Sequence, residues 1–487
     1  MIKINKILLL LLAGTLFSCN NWLELDPANQ ISKEKLYSDE IGFQNALNGI
    51  YQMCSEPALY GKNLSWGTLS AIAQNYTDAN DYSDYYMMQY DYERTQTLAT
   101  IDGIWKGLYN AIANCNLLLN EVTKASPEMF KLDTITKNII EGEALALRAI
   151  CHLDLVRLFS PAPVKNEGAK LIPYQDKYPS ELTNPLTTSE TLDRVITDLL
   201  KAKDLLAYND TVYHKTQMRY KMAARFQGQY SAAGGDFFNK RGYRMNYCAV
   251  VGLLTRAYLY KGDQENALKY AKHIYDRFIK GNAFFSFHSS NDYSTSLANK
   301  QKKYLDECIF AFYNKNMLNI VENYYKTYSE NLPVEDVENI FLNDEDDYRI
   351  YLIQKDGSSF GNSLKYRQVD NYQRDDVEGR AIPVLRISEI YYTLIECYYE
   401  KGETAEALKL LKELRSAKGC KRQIVSINSQ PELHEILIND ARREFIGEGQ
   451  LFYMYKRLNH GILTRNGEFA PTEERVTFII PDSQNIN

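Results

Sequence analysis

Two stretches far apart in the chain carry the same amphipathic helix–turn–helix pattern, and this repetition limits the folds open to it. Residues 246–275 and 386–415 superpose when Gly262 is set on Gly402. Leu254 then falls on Leu394, Tyr258 on Tyr398, Ala267 on Ala407 and Leu268 on Leu408. In each copy a bulky residue on the first helix faces a small alanine on the second, and a glycine relieves the turn between them. Such a unit cannot bury its apolar face alone, so the copies must stack on further helices.

The packing logic is that of a tetratricopeptide (TPR) helix pair. The copies do not recur at the TPR period of about 34 residues, so the pairs must be separated by insertions. Further helices are predicted around them. Ile101, Ile104, Leu108, Ile112, Cys115, Leu118 and Val122 keep a three-to-four spacing, as do Ile140, Ala144, Leu147, Cys151, Leu155 and Leu158. The second run must stop at Ser160-Pro161-Ala162-Pro163. A helix over 187–206 is announced by the caps Thr187, Thr188 and Ser189 with Glu190 behind them. The expected class is mainly α. The helical framework is placed at about 39–54, 101–159, 187–206, 246–279 and 384–458, with insertions at about 55–100, 208–245 and 281–383. Within the last insertion, 348–369 reads as two short strands around a Gly/Ser turn. Trp105 and His152 sit on apolar helical faces and are expected in the core.

The amino terminus bears on location. Lys3 and Lys6 precede the apolar run Ile7–Leu12 and the small pair Ala13-Gly14, and the apolar stretch ends at Phe17, short of a membrane span. Leu16-Phe17-Ser18-Cys19 follows the pattern of a bacterial lipobox. Residues 1–18 are therefore expected to be a lipoprotein signal peptide, and 19–487 one mature unit with palmitate-type acyl chains on Cys19. Two or three chains anchor firmly at about 0.8 kcal/mol per buried CH₂. A mean hydropathy of −0.42 excludes a multi-spanning protein, and a net charge of −6 argues against a nucleic-acid partner. The other cysteines, Cys54, Cys115, Cys151, Cys248, Cys308, Cys397 and Cys420, form no C-x-x-C or zinc pattern and read as buried thiols.

Catalytic motifs are sparse. None of the six histidines lies in H-E-x-x-H or a spaced metal pair. Gly357-Ser358-Ser359-Phe360-Gly361 matches G-x-S-x-G, but polar residues on both sides make it a hairpin turn and not a nucleophile elbow. Ser32 and Lys35 match S-x-x-K with no supporting motif. Asp344-Glu345-Asp346-Asp347 lacks the alternating ligands of a calcium loop and is expected to be a solvated acidic loop. No metal or cofactor is expected, and nothing supports an enzyme.

The aromatic content points to binding. There are 38 tyrosines against 3 tryptophans, and Tyr76, Tyr82, Tyr85, Tyr86, Tyr90 and Tyr92 crowd into one short stretch. Trp66 precedes them, and Asn75, Asp78, Asn80, Asp81 and Asp84 are interleaved. Aromatic faces stack on sugar C–H faces while amides and carboxylates take the hydroxyls, and the same mix suits peptides. Candidate ligand contacts are Trp66, Tyr76, Asp78, Asn80, Tyr82, Tyr85, Tyr86 and Tyr90, with Tyr293 and Tyr324 from the later insertion. Phe284, Phe285 and Tyr325 are further aromatics of interest, and about half of the tyrosines are expected to pack the insertion onto the helices.

The lipobox followed by CNNWLELDP, then IWKGLYNAIANCNLLLNEV, EGEALALRAICHLDLVRLFSPAPV, RAYLYKGDQENALKYA, LRISEIYYTLIECYYEKG, ARREFIGEGQLFYMYKR and a terminal FIIPDSQNIN occur in that order. In this the chain resembles the SusD-like (RagB/SusD) family, the nutrient-binding outer-membrane lipoproteins of Bacteroidetes. The resemblance implies TPR-like helix pairs in a right-handed superhelix, with an irregular ligand-binding half built from the insertions. It also implies carbohydrate binding at the cell surface and nutrient uptake with a SusC-like, TonB-dependent transporter. Leu451 and Met454 stand where the family usually has Arg and Asp, Gln484 replaces Glu, and Cys151-His152 replaces an aromatic pair. The ligand is left open between an oligosaccharide and a peptide or other host-derived molecule, with an enzyme hidden in the insertions as a third reading.

Overall fold

The frame begins where the Asp39 carboxylate accepts the Gly42 amide at 2.9 Å, capping helix α1 (Glu40–Ser55). The structure is a computed structural model that describes residues 32–76, 81–163, 165, 168–294, 302–328, 332–334, 336–355, 361–366 and 375–481. Helix α2 (Thr95–Lys124) packs on α1, and α3 (Asp133–Phe159) packs on α2. The α2 helix starts at Thr95, ahead of the expected 101, because Thr97 is buried and its hydroxyl donates to Arg94 and Asp91 carbonyls. Helix α3 stops at Phe159, immediately before the Ser-Pro-Ala-Pro segment. Its next neighbour, α4 (Thr188–Tyr208), opens with a capping box: Thr187 Oγ1 accepts from the Glu190 amide at 3.2 Å, and Glu190 accepts from the Thr187 amide at 2.9 Å.

The two sequence copies are real and lie side by side. Helices α5 (Tyr247–Lys261) and α6 (Gln264–Ile274) form one pair, and α7 (Ile387–Glu400) and α8 (Thr404–Ala417) the other. Gly262 and Gly402 both adopt left-handed φ, +85° and +82°, where each first helix ends. Helix α6 packs directly on α7, and Tyr275 and Tyr391 from the two pairs donate their hydroxyls to the same Glu413 carboxylate. The intervening residues therefore leave the stack and return to it. They return through an antiparallel pair: β3 (Cys308–Tyr313) lies along β7 (Ala381–Arg386), which runs straight into α7. Helices α9 (Gln430–Glu444) and α10 (Gln450–Leu458) complete the TPR-like stack.

A continuous apolar core runs from Tyr37 to Phe478. Trp105 is buried edge-on against Phe159 at 4.7 Å. His152 stacks on Tyr174 at 3.8 Å, with its ring nitrogens bonded to the Arg148 carbonyl and the Gln175 amide. All seven cysteines within the described residues are buried.

Three smaller motifs resolve into structure. Strands β5 (Ile353–Lys355) and β6 (Gly361–Ser363) pair antiparallel, as a hairpin around the G-x-S-x-G segment requires, with β4 (Pro333–Val334) on the other side of β6. Strands β1 (Lys170–Pro173) and β2 (Pro185–Thr187) form a separate antiparallel pair ahead of α4. Residues 356–360 themselves lie outside the described residues. Ser32 of the S-x-x-K match caps the short helix Lys33–Leu36, its hydroxyl accepting from the Lys35 amide. The acidic run 344–347 is not the solvated loop expected. Glu345 and Asp346 are exposed, but Asp344 and Asp347 are buried, Asp344 against Arg415 and Arg443, Asp347 against Arg349. The two ends of the run turn into the core and its middle faces water. The buried carboxylates are compensated by Arg349 close by and by Arg415 and Arg443 from far away in sequence.

Candidate ligand-binding surface

The tyrosine-rich stretch is held by one lysine. Lys62 Nζ lies 2.8 Å from both Asp81 and Asp84, and the Thr68 hydroxyl donates to Asp84 at 2.8 Å. Burial opposes the Lys62 charge, but Asp84 and Asp81 outweigh it and hold its pKa above the ordinary value. Asp81 also accepts from the Ser83 amide at 2.9 Å, capping the short helix Tyr82–Met88. The helix thus sits in one orientation on the insertion beneath it.

Tyr85 is 42% exposed, and its ring meets Tyr86 edge-on at 5.3 Å. The Arg94 guanidinium lies 5.0 Å over Tyr86 while its Nε donates to Asp91 at 2.7 Å. Tyr90 takes a left-handed φ of +59°. Its hydroxyl donates to the Ile72 carbonyl at 2.9 Å, and its ring stands edge-on to Phe469 at 5.5 Å. Arg475 covers both rings, 5.8 Å from Tyr90 and 5.4 Å from Phe469. Phe469 arrives on the hairpin of β8 (Ile462–Thr464) and β9 (Gly467–Phe469). These residues make a tyrosine ledge of two clusters, Tyr85 and Tyr86 with Arg94, and Tyr90 and Phe469 with Arg475, joined through the chain between residues 86 and 90. Such a surface offers stacking and hydrogen bonds to a polyhydroxylated ligand.

Several predicted contacts are elsewhere. Trp66 is fully buried and donates its Nε1–H to the Gly61 carbonyl at 2.8 Å. Tyr76 is buried and donates to the Trp66 carbonyl at 2.7 Å, and Tyr324 is buried edge-on against Trp66 at 5.1 Å. These three, drawn from two insertions, are part of the main apolar core and are not surface contacts: their rings tie the insertions to each other and to the helical frame. Phe284, Phe285 and Tyr92 are buried as well, with Tyr92 bonded to the Arg475 carbonyl at 2.6 Å. Asp78 and Asn80 lie outside the described residues, as do the side chains of Tyr82 and Tyr293, whose backbones are helical. Of the predicted set, the partly exposed aromatics are therefore Tyr85 and Tyr86, beside Arg94, and Tyr90, beside Phe469 and Arg475. Arg94 was within reach of sequence reasoning, being next to the tyrosines; nothing in the sequence links residues 469 and 475 to them.

Residues 21–227 match a family model described as starch-binding associating with outer membrane, and residues 239–475 match the SusD family model. The chain belongs to the SusD family. Among SusD-like relatives, protein P38 of Formosa agariphila is 21% identical over 96% of this chain and 94% of its own length. Protein P25 of the same organism is 26% identical, but that match spans 34% of this chain and only 31% of P25. Among solved structures, a SusD superfamily protein of Bacteroides thetaiotaomicron superposes with a TM-score of 0.69 at 20% identity, covering 92% of this chain and 97% of that one. A protein of Bacteroides vulgatus described as a putative sugar binding protein superposes at 0.68 and 19% identity, covering 92% and 96%. The TPR-like stack is thus the SusD fold. Among the described residues no helix is long and apolar enough to cross a membrane, and no group of three or more metal-ligating side chains gathers.

Proposed function

We propose that this SusD-family protein is a lipid-anchored binding protein of the outer membrane, facing the exterior. It captures an oligosaccharide and hands it to a SusC-like, TonB-dependent transporter. Residues 1–18 act as the signal peptide, Cys19 carries the acyl chains, and 19–487 work as one unit. The protein makes no covalent change in its ligand and is not an enzyme. The match of two SusD-type models across residues 21–227 and 239–475 is the observation that carries this reading. The aromatic ledge of Tyr85, Tyr86 and Tyr90 supports it as a place where sugar rings can stack. The described sugar-binding and carbohydrate-binding character of two structurally similar Bacteroides vulgatus proteins favours a glycan over a peptide.

The assembly is tested by isolating the tagged protein from detergent-solubilised outer membranes. A co-purifying TonB-dependent transporter is the expected result; recovery of the protein alone from cells that make both contradicts it. The anchor is tested by labelling with a fatty-acid probe. Wild type takes the label and Cys19→Ala does not, and equal labelling of both excludes Cys19.

A further inference from the structure

We infer that a second glycan site, for a neutral oligosaccharide, lies in a cleft of about 420 Å³ between the end of α1, residues 236–244 and the turn after β3. None of its lining residues belongs to the tyrosine ledge. The inference rests on the reading of the protein as an oligosaccharide binder and extends it to a place that reading does not use. The volume falls within the roughly 300–1,000 Å³ of small-molecule sites.

The cleft has aromatic walls. Tyr313, at the end of β3, is 41% exposed and stands edge-on to Tyr243 at 5.1 Å. Phe237 lies across from α1, with the Arg244 guanidinium 4.4 Å from its ring and 5.1 Å from that of Tyr51. Arg244 is fixed between these rings: its Nε donates to Glu143 at 2.9 Å and its Nη1 to Asn48 at 3.0 Å. Glu143 is fully buried, and it is held in turn by Arg241 and by the Tyr51 hydroxyl, which donates to it at 2.7 Å. Arg244 Nη2 has no hydrogen-bond partner among the described residues and is itself closed off from solvent, so the guanidinium serves the cleft as a fixed wall. This wall is rigid before any ligand arrives, which lowers the ordering entropy lost on binding.

The rim supplies polar side chains with no hydrogen-bond partner among the described residues. The side chains of Gln52, Asn316, Lys240 and Lys315 line the cleft, and lysine charges there are matched by Glu56 and Asp236 on the same lining. Lys240 holds a left-handed φ of +53°, a conformation that a non-glycine residue keeps only when its surroundings fix it. With Arg244 already paired to Glu143, the formal charges cancel. Amides, aromatic faces and balanced charge suit a neutral glycan better than a uronate or sulfated one. A peptide would be expected to add to a strand edge, but β3 is paired with β7 along one side. On the other side Asn246 Nδ2 donates to the Ile309 carbonyl at 3.0 Å.

The test is calorimetric titration of the intact protein with malto-, cello-, xylo- and mannohexaose, alongside wild-type crystals soaked in the same sugars. The expected result is a hexasaccharide seated in the cleft, with affinity insensitive to added salt. Y313A should weaken that binding tenfold or more. Q52A/N316A, which alters only exposed side chains, should weaken it several-fold even where Y313A disturbs the fold. Binding confined to the ledge, with the cleft empty and both variants at wild-type affinity, overturns the cleft and leaves the oligosaccharide reading standing. A wild type that binds none of the sugars overturns both. Affinity that falls steeply with salt overturns the assignment to a neutral ligand.

Discussion

Residues of the same type, a few positions apart, do opposite work here. Trp66 and Tyr76 are sealed into the main core while Tyr85 is 42% exposed. Their substitution should therefore split stability from binding. Trp66→Ala removes a fully buried indole and should cost about 3–5 kcal/mol in urea unfolding. Y85A/Y86A should change stability by about 0.5 kcal/mol or less and weaken glycan binding tenfold or more. Equal loss of stability in the two variants would contradict this division. The thiols give a second residue-scale prediction. Burial pushes Cys308, Cys397 and Cys420 up to about 12, so none should react with a thiol reagent in the native state and all should react in denaturant. A fast-reacting native thiol would contradict the burial. The sequence could not separate core from ledge because residues 55–94 lack a sustained period, and without one an aromatic carries no sign of which way it faces.

At the scale of elements the frame was legible and its attachments were not. Periodicity, the caps at Thr187 and Glu190, the prolines after Ser160 and the paired glycines 262 and 402 are local signals, and each has its expected structural counterpart. The hold between residues 344–349 and α9 is a long-range matter. Arg349 is buried and bonds Asp347, Asp440 and Glu444 at 2.6, 2.9 and 3.0 Å. Lys418 reaches both Glu307 and Glu444, and Arg386 and Lys365 share Glu448. Apart from Asp347 and Arg349, spacing along the chain announces none of these meetings, so the acidic run read as solvated. Arg349→Met leaves three carboxylates facing one another out of water and should cost about 3–5 kcal/mol. An unfolding midpoint equal to wild type would mean that the network is not compensated as described.

For the whole molecule, the buried charges set how stability depends on pH. Burial works against the Asp440 charge, but Arg349 outweighs it and holds the carboxyl at about 2. Burial likewise opposes Glu444 and Glu448, and Lys418 with Arg349, and Arg386 with Lys365, hold them below the usual range. A carboxylate depressed in the folded state contributes stability above its unfolded pKa of roughly 4 and loses it as pH falls toward the folded value. Burial and then Arg148 depress His152 to about 3, so the unfolded chain takes up that proton first, from roughly pH 6.5 downward. Both effects run the same way. The urea midpoint should begin to fall below about pH 6.5 and fall more steeply below about 4. A midpoint that rises on acidification would contradict the buried network. The same cooperative frame, continuous from Tyr37 to Phe478, is what presents the ledge, since Phe469 and Arg475 reach Tyr90 only through the assembled stack.

The central claim is that this assembled surface binds a glycan and releases it unchanged. Its most direct test is equilibrium titration of the intact protein across a panel of neutral and acidic oligosaccharides, with the sugar recovered and analysed by mass afterwards. The account predicts saturable binding of at least one oligosaccharide, recovered intact, with affinity reduced tenfold or more in Y85A/Y86A. Silence across the whole panel, or a sugar returned chemically altered, would contradict it.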